Sequence, residues 1–174
     1  MSVIPSFVMP SRHVTRVAAI AASLTLALVA AIVPAARPAE ATILPDLAAL
    51  TGSTSITVKH GGAFTHIFYV KNIGAGVAPV GTIVATTLPP GSIVDTVSYV
   101  APSFWKCGTS GTTVRCTSQT RIEGGEDPIR VRVDAHAPGT AGTYGFDSVA
   151  DPDHLVLETN ENNNVLHTTL TVTP

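Results

Sequence analysis

From residue 55 onward the chain is written in short segments in which apolar and polar residues alternate at a period of two, the spacing that puts successive side chains on opposite faces of a strand. The segments are 55–59, 63–71, 80–88, 93–100, 104–107, 112–117, 129–135, 143–150 and 165–172. Within 63–71, Phe64, His66, Phe68 and Val70 share one face, which predicts a central strand with a histidine at the edge of its core. Within 129–135, Arg130 and Arg132 oppose Val131 and Val133, so one face is wet and the other buried. Ahead of these, Leu44, Leu47 and Leu50 in a Pro-containing lead predict a short edge strand. His60-Gly61-Gly62, Asn72-Ile73-Gly74-Ala75-Gly76, Pro89-Pro90-Gly91 and the Pro138 to Gly142 run punctuate the segments, because Gly and Asn accept positive φ and Pro lacks the ladder donor. Seven or eight short strands with turns every 8 to 12 residues and no convincing helix predict an all-β, antiparallel β-sandwich.

The first 41 residues break this pattern. Arg12 and Arg16 precede an uncharged, mostly apolar run over 17–33, and Ala39-Glu40-Ala41 is a small-x-small site beyond a Pro-rich stretch. This order predicts an N-terminal signal helix and a signal peptide over 1–41, cleaved to leave a domain over 42–174 that is secreted or passively associated with the cell wall. The alternative is retention as an anchor, since a 17-residue uncharged, mostly apolar run reaches the short end of what spans a bilayer.

From Thr42 on, Asp and Glu outnumber Lys and Arg by 11 to 7, and no Lys or Arg follows Arg132. An acidic field repels phosphate backbones, which argues against nucleic acid as a partner. The two cysteines, Cys107 and Cys116, fall in the exported part with Gly108, Ser110 and Gly111 between them. In an oxidising compartment that spacing predicts a disulfide across a hairpin, closing a loop that removes roughly 2.5 to 3 kcal/mol of unfolded-state entropy. Zinc would need a second ligand pair, and a catalytic cysteine a free thiolate.

Candidate chemistry gathers in residues 151–164, which hold Asp151, Asp153, Glu158 and Glu161 together with Asn160, Asn162, Asn163 and Asn164. Two readings stand open. The Pro and Asn residues suit a tight connection held by side-chain to backbone hydrogen bonds. The four carboxylates, with Asn160 and Asn162, equally supply oxygen ligands for calcium, although their spacing is not that of an EF-hand loop. No other cofactor is predicted. The chain has no Gly-x-Ser-x-Gly elbow and no His-Glu-x-x-His, and His60, His136, His154 and His167 are scattered, so a non-enzymatic role is expected. Carboxylates for glycoside hydrolysis would have to come from 151–164, where a turn leaves them solvated. Trp105, the single tryptophan, is expected in the core rather than as a platform for sugar stacking.

Four short motifs in order resemble the CARDB-like and DUF11-type domains of bacterial extracellular proteins. They are Phe68-Tyr69-Val70-Lys71-Asn72-Ile73-Gly74, Leu88-Pro89-Pro90-Gly91, Trp105-Lys106-Cys107 with Thr113-Val114-Arg115-Cys116-Thr117, and Val149-Ala150-Asp151-Pro152-Asp153 followed by Glu158-Thr159-Asn160-Glu161-Asn162-Asn163. The resemblance implies an immunoglobulin-like fold and an adhesion-related or architectural role at the cell surface, without a reaction. The partner it implies is an extracellular protein or glycan, with no membrane once the leader is cleaved. Tyr99, Phe104 and the connection 121–128 are the exposed positions expected to meet it.

Overall fold

The computed structural model describes residues 42–99 and 104–174, and the signal peptide expected over 1–41 lies outside the described residues. Ten strands form: β1 (Leu47–Leu50), β2 (Ser55–Lys59), β3 (Ala63–Asn72), β4 (Ile83–Thr87), β5 (Ile93–Tyr99), β6 (Trp105–Ser110), β7 (Thr113–Ser118), β8 (Ile129–His136), β9 (Gly142–Ala150) and β10 (Val165–Thr173). They make two sheets, ordered β1-β3-β8-β5 and β2-β10-β9-β4-β7-β6, packed as an all-β sandwich.

Each of the nine alternating segments and the lead supplies one strand, so the count exceeds seven or eight, and the first two strands lie in different sheets. β1 pairs antiparallel with β3, while β2 pairs parallel with β10, the one parallel ladder among the described strands. At the crossing the chain passes so close to β3 that a Cβ on Gly52 would lie 2.3 Å from the Ile67 carbonyl oxygen. Ser53 N–H donates to that same oxygen at 2.8 Å, and Ile67 N–H returns a bond to Ser53 Oγ at 3.2 Å. The strand expected over 80–88 begins only at Ile83. Gly81 adopts φ 92° and the Thr82 hydroxyl donates to the Pro79 carbonyl at 2.7 Å, so Val80 stands out in a turn instead.

The period-two faces pack as the sequence spacing requires. Phe64, Phe68 and Val70 of β3 and Ile129, Val131 and Val133 of β8 face Phe146, Ala150, Leu170 and Val172 of the other sheet in one core. Trp105, 7% exposed, belongs to it, and the Cys107–Cys116 disulfide joins directly opposed residues of β6 and β7. His66 is wholly buried rather than at the core edge. Its ring stacks on Phe68 and meets Phe146 edge-on at 4.9 Å between centroids. Its Nε2 lies 2.8 Å from Ser148 Oγ, and the Ser148 hydroxyl donates to Thr86 Oγ1 at 3.1 Å, which makes a polar bridge between the sheets. Burial lowers the His66 pKa to about 4, so the ring is neutral at physiological pH.

The two ends of the sandwich differ. At one end the strands are joined by the short connections 60–62, 88–92, 111–112 and 137–141. The opposite end gathers the three longest, 73–82, 119–128 and 151–164, together with the lead into β1.

Candidate interaction surface

The long-loop end is organised by one buried amide. Asn72 closes β3, and all four hydrogen bonds of its side chain go to chain that has left the sheet. Its Oδ1 accepts from Asp46 N–H at 3.0 Å and Gly74 N–H at 3.1 Å, and its Nδ2 donates to the carbonyls of Gly76 at 2.7 Å and Ile122 at 3.0 Å. An amide carries both donors and acceptors, so one side chain ties the lead, 73–82 and 119–128 together. Ala78 and Ile122 add a pair of reciprocal backbone bonds at 3.0 Å.

The acidic stretch 151–164 is built in the same manner. Asp151, buried at φ 44°, accepts from Leu155 N–H at 3.1 Å and Val156 N–H at 2.8 Å. Glu158, 6% exposed, accepts from Leu47 N–H and from Asn164 Nδ2, the latter at 2.9 Å, and so fastens this connection to the start of β1. Desolvation, aided by the like charges of Glu161 and Asp151, outweighs those two bonds and raises the Glu158 pKa to about 7. Glu161 accepts from Glu158 N–H at 3.2 Å, Asp153 pairs with Arg115 of β7, and Asn163 Nδ2 donates to Asp46 Oδ1 at 2.7 Å. Asp151, Asp153, Glu158 and Glu161, the four carboxylates considered for calcium, thus face different partners. Among the described residues no three His, Cys, Asp or Glu side chains are grouped to hold a metal ion. Three of the scattered histidines lie apart, each against a separate carboxylate: His136 with Asp95, His154 with Glu161, His167 with Asp147. The arrangement nearest to a nucleophile and base, Ser148 with His66, has no solvent access.

What this framework presents is apolar. Leu155 and Leu157, 75% and 72% exposed, project on either side of the buried Val156. Ile43, Ile73, Val77, Val80, Phe104 and Val165 are the other large apolar side chains exposed here. Among the described residues only Ile93, at the short-turn end, is exposed elsewhere. Beside them lies a cleft of about 740 Å³ bounded by Phe104, Trp105, Val80 and residues 119–123 and 126–129. Phe104 and much of 121–128 are exposed as expected, and Tyr99 is half-buried. The leucines escaped sequence reasoning, although two leucines flanking a valine in an otherwise polar connection were a legible signal.

A β-sandwich carrying a fixed, apolar loop end is the class of protein defined here. No family model matches the chain, and no curated protein matches it. Among solved structures it is similar to a type I cohesin of Clostridium thermocellum determined in a cohesin–dockerin complex, with TM-score 0.50 and 7% identity over 74% of this chain and 99% of that one. It is also similar to the CARDB domain of a Pyrococcus furiosus protein in complex with di-metal ions, with TM-score 0.47 and 20% identity over 75% of this chain and 90% of that one. A type I cohesin from Pseudobacteroides cellulosolvens gives TM-score 0.49 at 12% identity over 74% and 92%.

Proposed function

We propose that the chain is an exported, non-catalytic binding module that holds another extracellular protein against its long-loop end. The observation carrying this reading is the concentration of exposed large apolar side chains at that end, on connections locked by Asn72, Asp151 and Glu158. Loops on a rigid scaffold are free to carry binding residues, and apolar side chains gathered on a surface mark contact sites. Pre-ordered loops lose little entropy on association. A protein partner also accords with the Clostridium thermocellum cohesin, whose structure was determined with a dockerin on the same fold. A glycan partner has less support, because Trp105 is buried and leaves Phe104 as the exposed aromatic beside the cleft. Calcium has less to draw on, since Asp151, Asp153, Glu158 and Glu161 already accept from backbone amides, Asn164 and Arg115.

A photo-cross-linking residue placed at Leu157 or Phe104, compared with one at Thr143 near the short-turn end, tests the reading on the surface of the producing cells. Adducts with a protein are expected from the first two positions. Adducts from Thr143 alone would overturn it.

A further inference from the structure

We infer that the cleft beside Phe104 takes a polypeptide segment presenting an aliphatic or aromatic side chain next to a lysine or arginine. The inference rests on the reading of the long-loop end as a protein-binding surface and specifies the ligand of one part of it. The buried part of the lining is mostly apolar: Leu47, Val70, Trp105 and Ile129 are core residues that reach the cleft beside the buried amide of Asn72, and Ile122 is half-buried. A volume of about 740 Å³ lies in the range of preformed sites and accommodates several side chains rather than one.

The charged residues of the lining decide what sits beside the apolar group. Glu123, Glu126 and Asp127 belong to it and make no ion pair among the described residues, against two cations, Lys71 and Arg121. These carboxylates are carried by a fixed backbone. Gly125, at φ 81°, donates to the Asn72 carbonyl at 3.0 Å, and Gly124 packs so tightly that a Cβ would lie 2.2 Å from the Gly74 carbonyl oxygen. Neither glycine tolerates a side chain there, so the backbone that carries Glu123 and Glu126 is held against 73–76. Unpaired carboxylates beside an apolar floor favour a cation adjacent to a hydrophobe, and they disfavour nucleic acid and anionic lipid.

Panning the chain from Thr42, which contains the whole core, against a displayed random-peptide library tests this. Recovered peptides are expected to pair Leu, Ile, Phe or Trp with Lys or Arg. A triple variant, Glu123→Gln, Glu126→Gln and Asp127→Asn, is expected to bind a recovered peptide about tenfold more weakly and with less dependence on salt, its melting temperature unchanged. Phe104→Ser is expected to weaken the same peptide. Acidic or charge-free peptides, no peptide at all, or full affinity in the triple variant would overturn the inference. So would loss on Leu155→Ser/Leu157→Ser alone, which would move the ligand to the leucine pair. Cross-links from Leu157 to a natural partner, with no peptide recovered, would leave the binding end standing while removing the cleft's assignment.

Discussion

Two buried titratable side chains, Glu158 and His66, act on stability in opposite directions. Glu158 has its pKa raised from 4.5 to about 7, so its contribution is complete below the unfolded value and is lost as pH rises toward 7. His66 has its pKa lowered from 6.5 to about 4, so its contribution is complete above 6.5 and is lost as pH falls toward 4. Between pH 4.5 and 6.5 the two slopes oppose each other. Urea titrations of Glu158→Gln are therefore expected to show stability rising by about 2 kcal/mol over this window, and those of His66→Phe a fall of similar size. Parallel slopes in the two variants would contradict the burial described for them. Glu158→Ala, which leaves Leu47 N–H without its acceptor, is expected to cost about 2 kcal/mol at pH 5. The sequence placed His66 on an apolar face but not under complete cover. That depends on Ser148, 82 residues away in sequence, supplying a partner. Glu158 read as a solvated turn residue for the same reason, since the amides that bury it belong to β1 and to Asn164.

At the level of elements, periodicity was legible wherever a strand has one wet and one dry face, as in β3 and β8, because water and core sort the side chains without reference to distant chain. It failed where tertiary contact overrides it. Val80 continues an alternating run, yet Gly81 and Thr82 turn it outward. Likewise the β1 to β2 crossing depends on the backbone of β3. Gly52→Ala would drive a methyl group into the Ile67 carbonyl, and a loss of about 3 kcal/mol is expected in chemical denaturation. Reducing the Cys107–Cys116 bond, which closes the β6–β7 hairpin, is expected to lower stability by roughly 2.5 to 3 kcal/mol, measured with and without reductant.

Across the whole molecule, the exposed large apolar side chains of the described residues gather at one end of the sandwich, Ile93 excepted. The sandwich and its turns could be read from the sequence, and so could the acidic run, but not which connections share an end. That follows from strand direction and pairing, which single-segment patterns do not encode. The Leu155→Ser/Leu157→Ser variant separates surface from scaffold: its melting temperature is expected within about 2 °C of the parent, because neither side chain is buried, while partner binding falls. The parallel ladder between β2 and β10 has a temporal side as well. Ser55 leaves the ribosome long before Thr169, its partner in register. Until the final strand appears, β2 has no neighbour in its sheet, so completion of that edge is a late, high-contact-order step. During that interval the nascent domain has an unpaired strand at its N-terminal side, where a chaperone or a second chain's β10 would bind first.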